Sequence, residues 1–412
     1  MNNALRWYLT STGCYLIPGG IQQVLFPWLV AVYLAETPER LGFAQMASQL
    51  PMVVLILWGG LIGDRLDQRK LLIGLQLALA VPPLVMAVFT FNNLVFYEML
   101  VIWVFIAGTL GAFNQPARDA LLNRVAGPDI QRVVTLSVGI QFGVQIFGFL
   151  LGSTAEKFGP TLLLVTQSSL MIMAAALTAR IPPLPPLPER PRRHPLREIQ
   201  EGLVIALSSK VIRPAIILTM SVGIFFAGAY MVLLPLIVRD VYGGGAQGIA
   251  LAFACNMLGT VTTIIVMMKM GGINRPGRAM ITVGCISSCI LFCLQFGMPA
   301  WAFYAVVYLW GMCGGISMTM SRAVVQEAAP ETHRARIMSV YSLGMMGGMP
   351  IGSVILGWAA GTFGAREAVL IPSLGMLAVI AYLRLGTDMW HFTRQQQIPA
   401  EPAAETATES VG

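Results

Sequence analysis

Long stretches without a single Asp, Glu, Lys or Arg are the feature that most constrains this chain. Eleven such runs lie between residues 7 and 383, among them 7–35 and 41–63. A helix of ~20 apolar residues crosses a hydrocarbon core ~30 Å thick, and most of the runs reach that length. The run 279–321 is too long for one crossing and is interrupted at Gly297-Met298-Pro299, which brings the expected number of crossings to twelve.

The crossings are predicted to be α-helices. Backbone N–H and C=O groups in lipid must pair within the protein, and the alternating pattern of a membrane β-barrel is missing. The chain is 56% hydrophobic and 11% charged, whereas a soluble domain carries roughly 25% charged residues. The sequence therefore predicts an all-α polytopic membrane protein and excludes a soluble globular domain.

Basic residues are divided unequally between the connecting segments. If the N-terminus is cytoplasmic, 22 of the 26 Lys and Arg residues fall inside, and the outside keeps only Arg40, Lys157, Arg239 and Arg366. This asymmetry predicts that both termini are cytoplasmic, because cytoplasmic loops carry the excess of Lys and Arg. A nucleic-acid surface is excluded, since the net charge of +7 is spread over loops rather than gathered on one face.

The cysteines and histidines show no enzymatic arrangement. All six cysteines lie in predicted crossings without disulfide or metal-ligand spacing. Cys285, Cys289 and Cys293 recur every four residues, which we interpret as small-residue helix packing. The three histidines lie in loops or the tail without a paired nucleophile, and no phosphate-binding glycine loop follows a strand. We expect no metal, no cofactor and no enzymatic activity.

The crossings fall into two blocks joined by a proline-rich segment. Six prolines in residues 182–191 preclude a regular helix, and residues 196–210 are expected to form a short surface helix. We interpret the segment as a cytoplasmic linker, with a PxxP partner motif as the alternative. The predicted organisation is a six-helix bundle over 1–180, a linker over 181–210, a second six-helix bundle over 211–385 and a disordered cytoplasmic tail over 386–412.

The two blocks resemble each other at a constant offset of 204 residues. The matching pairs are Arg118 and Arg322, Arg132 and Arg336, Gly143 and Gly347, and Gly148 and Gly352. Four matches at one offset predict duplicated six-helix units in parallel, an arrangement in which transporters place their site near the bilayer midplane between the halves. A duplicated structural scaffold would show the same pairs, so the repeat supports architecture more than activity.

A segment rich in glycine and charge follows the second crossing: Gly60-Leu61-Ile62-Gly63-Asp64-Arg65-Leu66-Asp67-Gln68-Arg69-Lys70. The glycines at 59 and 63 lie one turn apart and allow another helix to approach closely. Asp64 at the cytoplasmic end can face the N-terminus of a neighbouring helix, where the partial positive charge favours a carboxylate. Such a contact forms in one conformation and breaks in another.

This segment resembles motif A of the major facilitator superfamily. The resemblance gives gating roles to Gly60, Asp64, Arg65, Arg69 and Lys70, and implies that the segment latches the outward-facing state against the eleventh crossing. The sequence departs from the motif at Asp67 and Gln68, and the copy in the second block has Asn274 in place of the aspartate. An equivalent latch in the second block is therefore not implied.

The fourth crossing ends in Ala112-Phe113-Asn114-Gln115-Pro116-Ala117-Arg118-Asp119-Ala120-Leu121-Leu122. This stretch is similar to the signature of the drug-exporter branch that includes macrolide-efflux-like and enterobactin-exporter-like proteins. Pro116 removes a helix donor and is expected to bend or end the crossing, which places Arg118 and Asp119 at the inner mouth. We expect them to pair with Asp64 or with the eleventh crossing, with plain interfacial anchoring as the alternative. The inner-mouth charges of the second block are Arg322 and Arg336.

The fifth crossing carries glycines at nearly regular turns: Gly139, Gly143, Gly148 and Gly152. The pattern resembles the glycine-rich motif C of antiporters, although the expected proline is missing and a similar element, Gly348-Met349-Pro350, occurs in the eleventh crossing. Close helix packing explains the glycines without exchange. The pattern therefore does not establish antiport.

Polar residues near the middle of a crossing are functional candidates because they are costly in lipid. The candidates for the substrate cavity are Gln22, Gln23, Gln49, Gln141, Gln145 and Asn256, of which Gln141 and Gln145 share a face. Crossings that line the cavity in the superfamily add the aromatic candidates Phe26, Trp103, Phe226, Tyr230 and Trp310. For the aromatic residues, ordinary packing is the alternative to ligand contact.

The sequence offers little to carry protons. Glu98, one turn inside the fourth crossing at its outer end, is the acidic residue set deepest in a crossing and is the candidate proton carrier. Its alternative is an interfacial residue without function. A largely neutral cavity suits amphipathic or weakly charged solutes.

Together with the resemblance, these residues predict a major facilitator secondary transporter. We expect proton-coupled efflux of hydrophobic or amphipathic compounds by a monomer in the bacterial inner membrane. The alternatives are an importer of a small metabolite or lipid-like solute and a non-transporting membrane sensor or scaffold.

Overall fold

The computed structural model describes residues 3–65, 67–126, 130–183, 195–270, 275–330, 333–387 and 390. Within these residues every regular element is a helix. In chain order the helices are α1 (Asn3–Tyr33, π-helical from Leu29), α2 (Pro38–Arg65), α3 (Gln68–Phe91), α4 (Tyr97–Val125), α5 (Ile130–Gly152), α6 (Pro160–Ala179), α7 (Pro195–Ser208), α8 (Ile212–Tyr242), α9 (Ala246–Met270), α10 (Pro276–Cys293), α11 (Ala300–Ala328), α12 (Arg334–Phe363) and α13 (Leu370–Gly386).

Among the described residues, 10 helices are long and apolar enough to cross a bilayer: α1, α3, α4, α6 and α8 to α13. A shorter apolar helical segment, Leu136–Gly152, lies within α5. The predicted interruption of the run 279–321 is confirmed, because α10 ends at Cys293 and α11 begins at Ala300. The protein is therefore an integral membrane protein built from helices.

Prolines inside the helices do not end them. Pro116 was expected to bend or end the fourth crossing; it lies within α4, which continues to Val125, so the helix does not end there. Pro27 in α1 is followed directly by the π-helical turn Leu29–Tyr33. In membrane helices, neighbouring helices and such local adjustments satisfy the backbone groups that proline leaves unpaired.

The helix pairings of α1 to α6 recur among α8 to α13. α1 packs on α5, α2 on α4 and α3 on α6; correspondingly, α8 packs on α12, α9 on α11 and α10 on α13. The two sets, called the first half and the second half below, meet along α2 with α12 and α5 with α9. The end of the molecule that carries Asn3 is called the inner end, and the opposite end the outer end.

Two glycines matched by the 204-residue offset occupy equivalent contacts. A Cβ atom added to Gly148 on α5 would lie 2.8 Å from the Cα atom of Gly20 on α1. A Cβ atom added to Gly352 on α12 would lie 1.9 Å from the backbone oxygen of Ile224 on α8. Backbones approach this closely only where the residues between them are small. The repeated glycine therefore reflects a repeated helix contact.

Other small residues do not pack as expected. A Cβ atom added to Gly139 or Gly143 would meet no described heavy atom within 4 Å. Cys289 and Cys293 are exposed on α10, so the interpretation of their spacing as helix packing is wrong. Spacing along a helix identifies a shared face, but it does not say whether that face meets a neighbour or lipid.

The surface helix predicted in the linker is confirmed. It is α7, which begins at Pro195, ends at Ser208 and packs against the inner ends of α12 and α2. Glu201 on α7 forms an ion pair with Arg336 on α12, with 2.5 Å between Oε2 and Nη1. This ion pair fastens α7 to α12.

Candidate functional site

Three glutamines and a methionine join the two halves in the interior. Gln145 on α5 donates from Nε2 to Oε1 of Gln23 on α1 at 2.8 Å. The Gln23 amide nitrogen lies 4.0 Å from the sulfur of Met231 on α8. Gln45 on α2 donates to the backbone oxygen of Met231 at 3.3 Å. We call Gln23, Gln45 and Gln145 the glutamine cluster.

Met231 owes its position to an irregularity of α8. It lies in the π-helical segment Ala229–Leu233, which follows a second π-helical segment, Val222–Ala227. Such wide turns alter the regular helical hydrogen-bond ladder and often mark functional sites in helices. The backbone oxygen that accepts from Gln45 of the other half lies in this π-helical segment.

The predicted cavity glutamines do not all reach this cluster. Gln23 and Gln145 are brought together, whereas Gln141, one turn from Gln145, is exposed. Gln22 is half-buried beside Gln23. The amide atoms of Gln49 on α2 are buried and have no hydrogen-bond partner among the described residues, so Gln49 has unused hydrogen-bonding capacity in the interior.

The predicted aromatic residues form one pair in each half. Phe26 and Trp103 meet edge to face at 6.2 Å between α1 and α4, and Phe226 and Trp310 do the same at 6.1 Å between α8 and α11. All four side chains are buried. Edge-to-face packing of this kind is favourable for aromatic rings, so each pair fastens two helices of its own half in this conformation.

The two remaining candidates, Tyr230 and Asn256, both contact neighbouring helices. The Tyr230 ring lies 4.6 Å from the Phe253 ring, which in turn lies 5.9 Å from Phe149. These three rings connect α8, α9 and α5 across the two halves. Asn256 on α9 donates from its amide nitrogen to the backbone oxygen of Val307 on α11 at 3.3 Å, so this amide group forms a hydrogen bond within the second half.

Asn114 was not among the cavity candidates, yet it is fully buried on α4. Both polar atoms of its amide lack a hydrogen-bond partner among the described residues. Leaving a buried polar group unpaired costs about 1–3 kcal/mol, so this amide is a candidate for binding water or solute. The sequence shows Asn114 as a polar residue inside a crossing. It was not selected because the cavity candidates were polar residues near the middle of a crossing, and Asn114 lies towards the inner end.

Among the described residues, Arg118 contacts α1; the expected pairing with Asp64, whose side chain is not described, stays a prediction. Its guanidinium carbon lies 5.3 Å from the centre of the Tyr15 ring on α1, a cation–π arrangement. Its backbone oxygen accepts a hydrogen bond from the Tyr8 hydroxyl at 3.0 Å. The Nη1 atom of Arg118 is buried without a partner among the described residues.

The other inner-mouth charges connect the halves and the linker. Asp119 on α4 is exposed and interacts electrostatically with neighbouring Arg118 and with Arg322 on α11, so a carboxylate of the first half lies within the electrostatic range of a cation of the second. Arg336 pairs with Glu201 of the linker helix. The side chain of Arg132, its partner in the repeat, lies outside the described residues.

Only part of the motif A segment can be placed. The backbone at Gly60, Asp64 and Arg65 belongs to α2. The side chains of Asp64 and Arg65 and the surroundings of Gly60 lie outside the described part of the structure. Arg69 donates from Nη2 to the backbone oxygen of Ala179 at the end of α6. The latch on the eleventh crossing therefore stays a prediction.

Asp67, which departs from the motif, has a local role. Its Oδ1 atom accepts from the backbone N–H groups of Arg69 at 3.0 Å and Lys70 at 3.4 Å. This is the N-cap arrangement, which satisfies donors that a helix start leaves unpaired. Asp67 therefore fixes where α3 begins.

The candidate proton carrier Glu98 lies in the first turn of α4 at the outer end and is exposed. A carboxylate in the first turn of a helix is stabilised by the partial positive charge there. This local interaction accounts for an acidic residue at position 98 without any movement of protons.

Comparison with known proteins decides the family. Residues 4–410 match the family model of transmembrane secretion effectors in the major facilitator superfamily. The chain belongs to this family. The predicted resemblance to the superfamily is thereby confirmed, and the members of this family are transporters rather than enzymes.

This secretion-effector family member has bacterial relatives along nearly its whole length. It is 20% identical over 394 residues to the staphyloferrin A transporter of Staphylococcus aureus (strain NCTC 8325 / PS 47), covering 91% of this chain and 94% of the relative. It is 23% identical over 379 residues to macrolide efflux protein A of Streptococcus pyogenes, covering 87% and 91%. Its fold is similar to the crystal structure of the nucleoside transporter NupG, with a TM-score of 0.74, 14% identity, and coverage of 95% and 100%.

Proposed function

We propose that this protein exports hydrophobic or amphipathic compounds by alternating access, driven by protons. The observation that carries the proposal is the glutamine cluster, in which Gln23 and Gln45 of the first half meet Met231 of the second. A solute bound here contacts both halves, so its affinity can depend on how the halves are arranged. That dependence is what alternating access requires.

The proposed architecture is two six-helix bundles with twelve crossings. In this proposal α2 and α5 join the ten helices identified as crossings, and α7 lies in the linker between the bundles. The recurrence of the helix pairings and of the glycine contacts at Gly148 and Gly352 supports it.

The proposed location is the inner membrane of a bacterium, with both termini in the cytoplasm and the protein acting as a monomer. The distribution of Lys and Arg supports this orientation, with 22 of 26 in the sequence segments predicted to be cytoplasmic. The relatives from Staphylococcus aureus and Streptococcus pyogenes support the bacterial setting.

The proposed substrate class follows from the cluster's chemistry. Amide groups donate and accept hydrogen bonds without net charge, which suits a solute that carries polar groups but little charge. The names of the relatives, a macrolide efflux protein and a staphyloferrin A transporter, support export of an organic molecule.

Protons are proposed to bind an inner-mouth carboxylate. Asp119 interacts electrostatically with Arg322 of the other half, so its protonation would weaken an interaction between the halves. Glu98, in the first turn of α4 at the outer end, is the second candidate; like Asp119, it is exposed.

The test is flux through the purified protein in liposomes. A panel of neutral and weakly cationic fluorescent dyes is loaded, and an imposed pH gradient is expected to drive dye transport above the level of empty liposomes. Collapsing the gradient with a protonophore should return transport to the downhill rate. Transport of no dye, or transport at an unchanged rate after collapse, would contradict the substrate class or the proton coupling respectively.

A further inference from the structure

The outer ends of the two halves are in direct contact. A Cβ atom added to Gly42 on α2 would lie 2.9 Å from the Cα atom of Gly357 on α12 and 2.5 Å from the backbone oxygen of Ser353. These distances leave no room for side chains between the two backbones. The pathway is therefore closed between α2 and α12 at the outer end.

A carboxylate of the first half caps a helix of the second half at this end. Glu156 lies in the short helical turn Ala155–Phe158 that follows α5. Its Oε1 atom accepts hydrogen bonds from the backbone N–H of Ala246 at 2.8 Å and from the indole N–H of Trp28 at 3.1 Å. Ala246 is the first residue of α9, where unpaired N–H groups and the helix dipole favour a negative charge.

The residue before this helix has to be small. A Cβ atom added to Gly245 would lie 1.5 Å from the same Oε1 atom of Glu156. Any other residue would displace the carboxylate or the loop that leads into α9. Gly245 therefore provides the space into which Glu156 fits.

A cation of the second half caps a helix of the first half in return. Arg239 lies in the last turn of α8 and donates from Nη1 to the backbone oxygen of Ala31 at 3.0 Å and to that of Glu36 at 3.1 Å. Ala31 belongs to the π-helical end of α1, where carbonyl groups are left unpaired and the dipole is negative. The neighbouring Asp240 accepts from Nε and Nη2 of Arg239 and orients the guanidinium.

We infer that Glu156 and Arg239 form a reciprocal outer latch, in which each half holds a helix end of the other half with an ionic side chain. The inference rests on the proposed alternating access, because a latch matters only if the outer end opens. The latch holds the outer end closed, and its contacts must break when substrate leaves outwards. It would be the outer counterpart of the predicted Asp64 latch at the inner end, which uses a carboxylate and a helix N-terminus in the same way.

The experiment measures opening directly and needs no substrate. Serines replace the native cysteines of the full-length chain, and cysteines for spin labels replace Phe91 at the outer end of α3 and Trp301 at that of α11. Both positions are well exposed, at 76% and 75%. Distances between the labels are then measured by pulsed electron paramagnetic resonance in lipid nanodiscs.

We expect Glu156→Ala and Arg239→Ala each to add a population with a longer distance, raising the open fraction about five- to tenfold, since each variant removes hydrogen bonds and a charge at a helix end. Lys157→Gln is the matched control, because Lys157 lies in the same turn and contacts the Phe158 ring rather than the other half. It should give the parental distance distribution.

Unchanged distances in both alanine variants would overturn the latch, as would equal opening in Lys157→Gln. If Glu156→Ala does not elute as a folded monodisperse protein, Glu156→Gln decides, since it keeps the acceptor oxygen and loses only the charge. A smaller shift to longer distance in that variant supports the latch, and no shift overturns it. Opening in the variants together with absence of dye transport by the parental protein would retain the latch and reject the proposed function.

Discussion

Gln145 and Gln23 are joined by a hydrogen bond of 2.8 Å between α5 and α1, and the Gln23 amide also faces Met231 of the second half. Gln141, one turn away on α5, is exposed and lies outside this arrangement. The two glutamines were predicted to share a face and a role, and the structure distinguishes them. The cluster therefore allows a comparison of two amides on one helix.

Gln145→Ala is expected to change which dyes are carried more than how fast the best dye is carried. The reason is that an amide orients a neutral solute but supplies no driving force, and one hydrogen bond accounts for roughly a five- to tenfold preference. Transport rates for the dye panel in liposomes measure the effect. Gln141→Ala is the control, and it is expected to change the dye preference less than Gln145→Ala. Identical preferences in Gln145→Ala and the parental protein would remove Gln145 from the pathway.

Gly352→Ala is expected to lower the free energy of unfolding by about 1–3 kcal/mol, because the added methyl group would collide with the backbone of Ile224 and force α8 and α12 apart. Gly143→Ala adds the same methyl group where no described atom lies within 4 Å, so it should be neutral or stabilise by up to about 1 kcal/mol through helix propensity. Unfolding followed by intrinsic fluorescence in detergent measures both. Equal stability of the two variants would show that the contact at Gly352 is not tight.

Asp64→Asn is expected to abolish gradient-driven transport while leaving expression and folding intact, because it removes a charge that the predicted inner latch uses in one conformation. Asp67→Asn is the matched control, since asparagine also serves as an N-cap and should preserve the start of α3. Gly60→Leu should act more severely than Asp64→Asn by blocking helix approach. Equal flux in Asp64→Asn and the parental protein at equal expression would reject the latch.

Asp119→Asn is expected to uncouple dye transport from the pH gradient while downhill movement continues, because asparagine keeps the shape of the side chain but binds no proton. Glu98→Gln should retain coupling, since Glu98 lies in the first turn of α4, where the partial positive charge of the helix N-terminus stabilises its carboxylate locally. The comparison is made by flux in liposomes with and without the gradient. Coupling that survives in Asp119→Asn but is lost in Glu98→Gln would identify Glu98 as the residue that binds the proton.

Much of the fold follows from apolar length and local chemistry. The break before Ala300, the surface helix α7 and the contact at Gly352 were all predictable, because a crossing needs a minimum length and a duplicated contact repeats its small residues. The N-cap role of Asp67 could also have been predicted from its position directly before α3. Of the bend or end expected at Pro116, the end does not occur, because neighbouring helices in a membrane protein compensate for a missing donor.

The site was less accessible to sequence reasoning. Met231 contributes a backbone oxygen, and no side-chain pattern reveals which carbonyl a π-helical turn makes available. Glu156 and Arg239 lie at the outer ends of crossings, where charged residues are ordinary, so only the helix ends that they contact identify them. Gln141 and Gln145 lie one turn apart, yet the sequence does not fix how far α5 is rotated about its axis.

Accessibility of Gln23→Cys from both sides of the membrane tests the central claim most directly. In a protein whose native cysteines are replaced by serine, a membrane-impermeant maleimide is added to vesicles of either orientation. Alternating access predicts reaction from the inner side, slower reaction from the outer side, and faster outer reaction when Glu156→Ala is added. Reaction from a single side under all conditions, including in the Glu156→Ala background, would contradict a pathway through the glutamine cluster that opens alternately to each side.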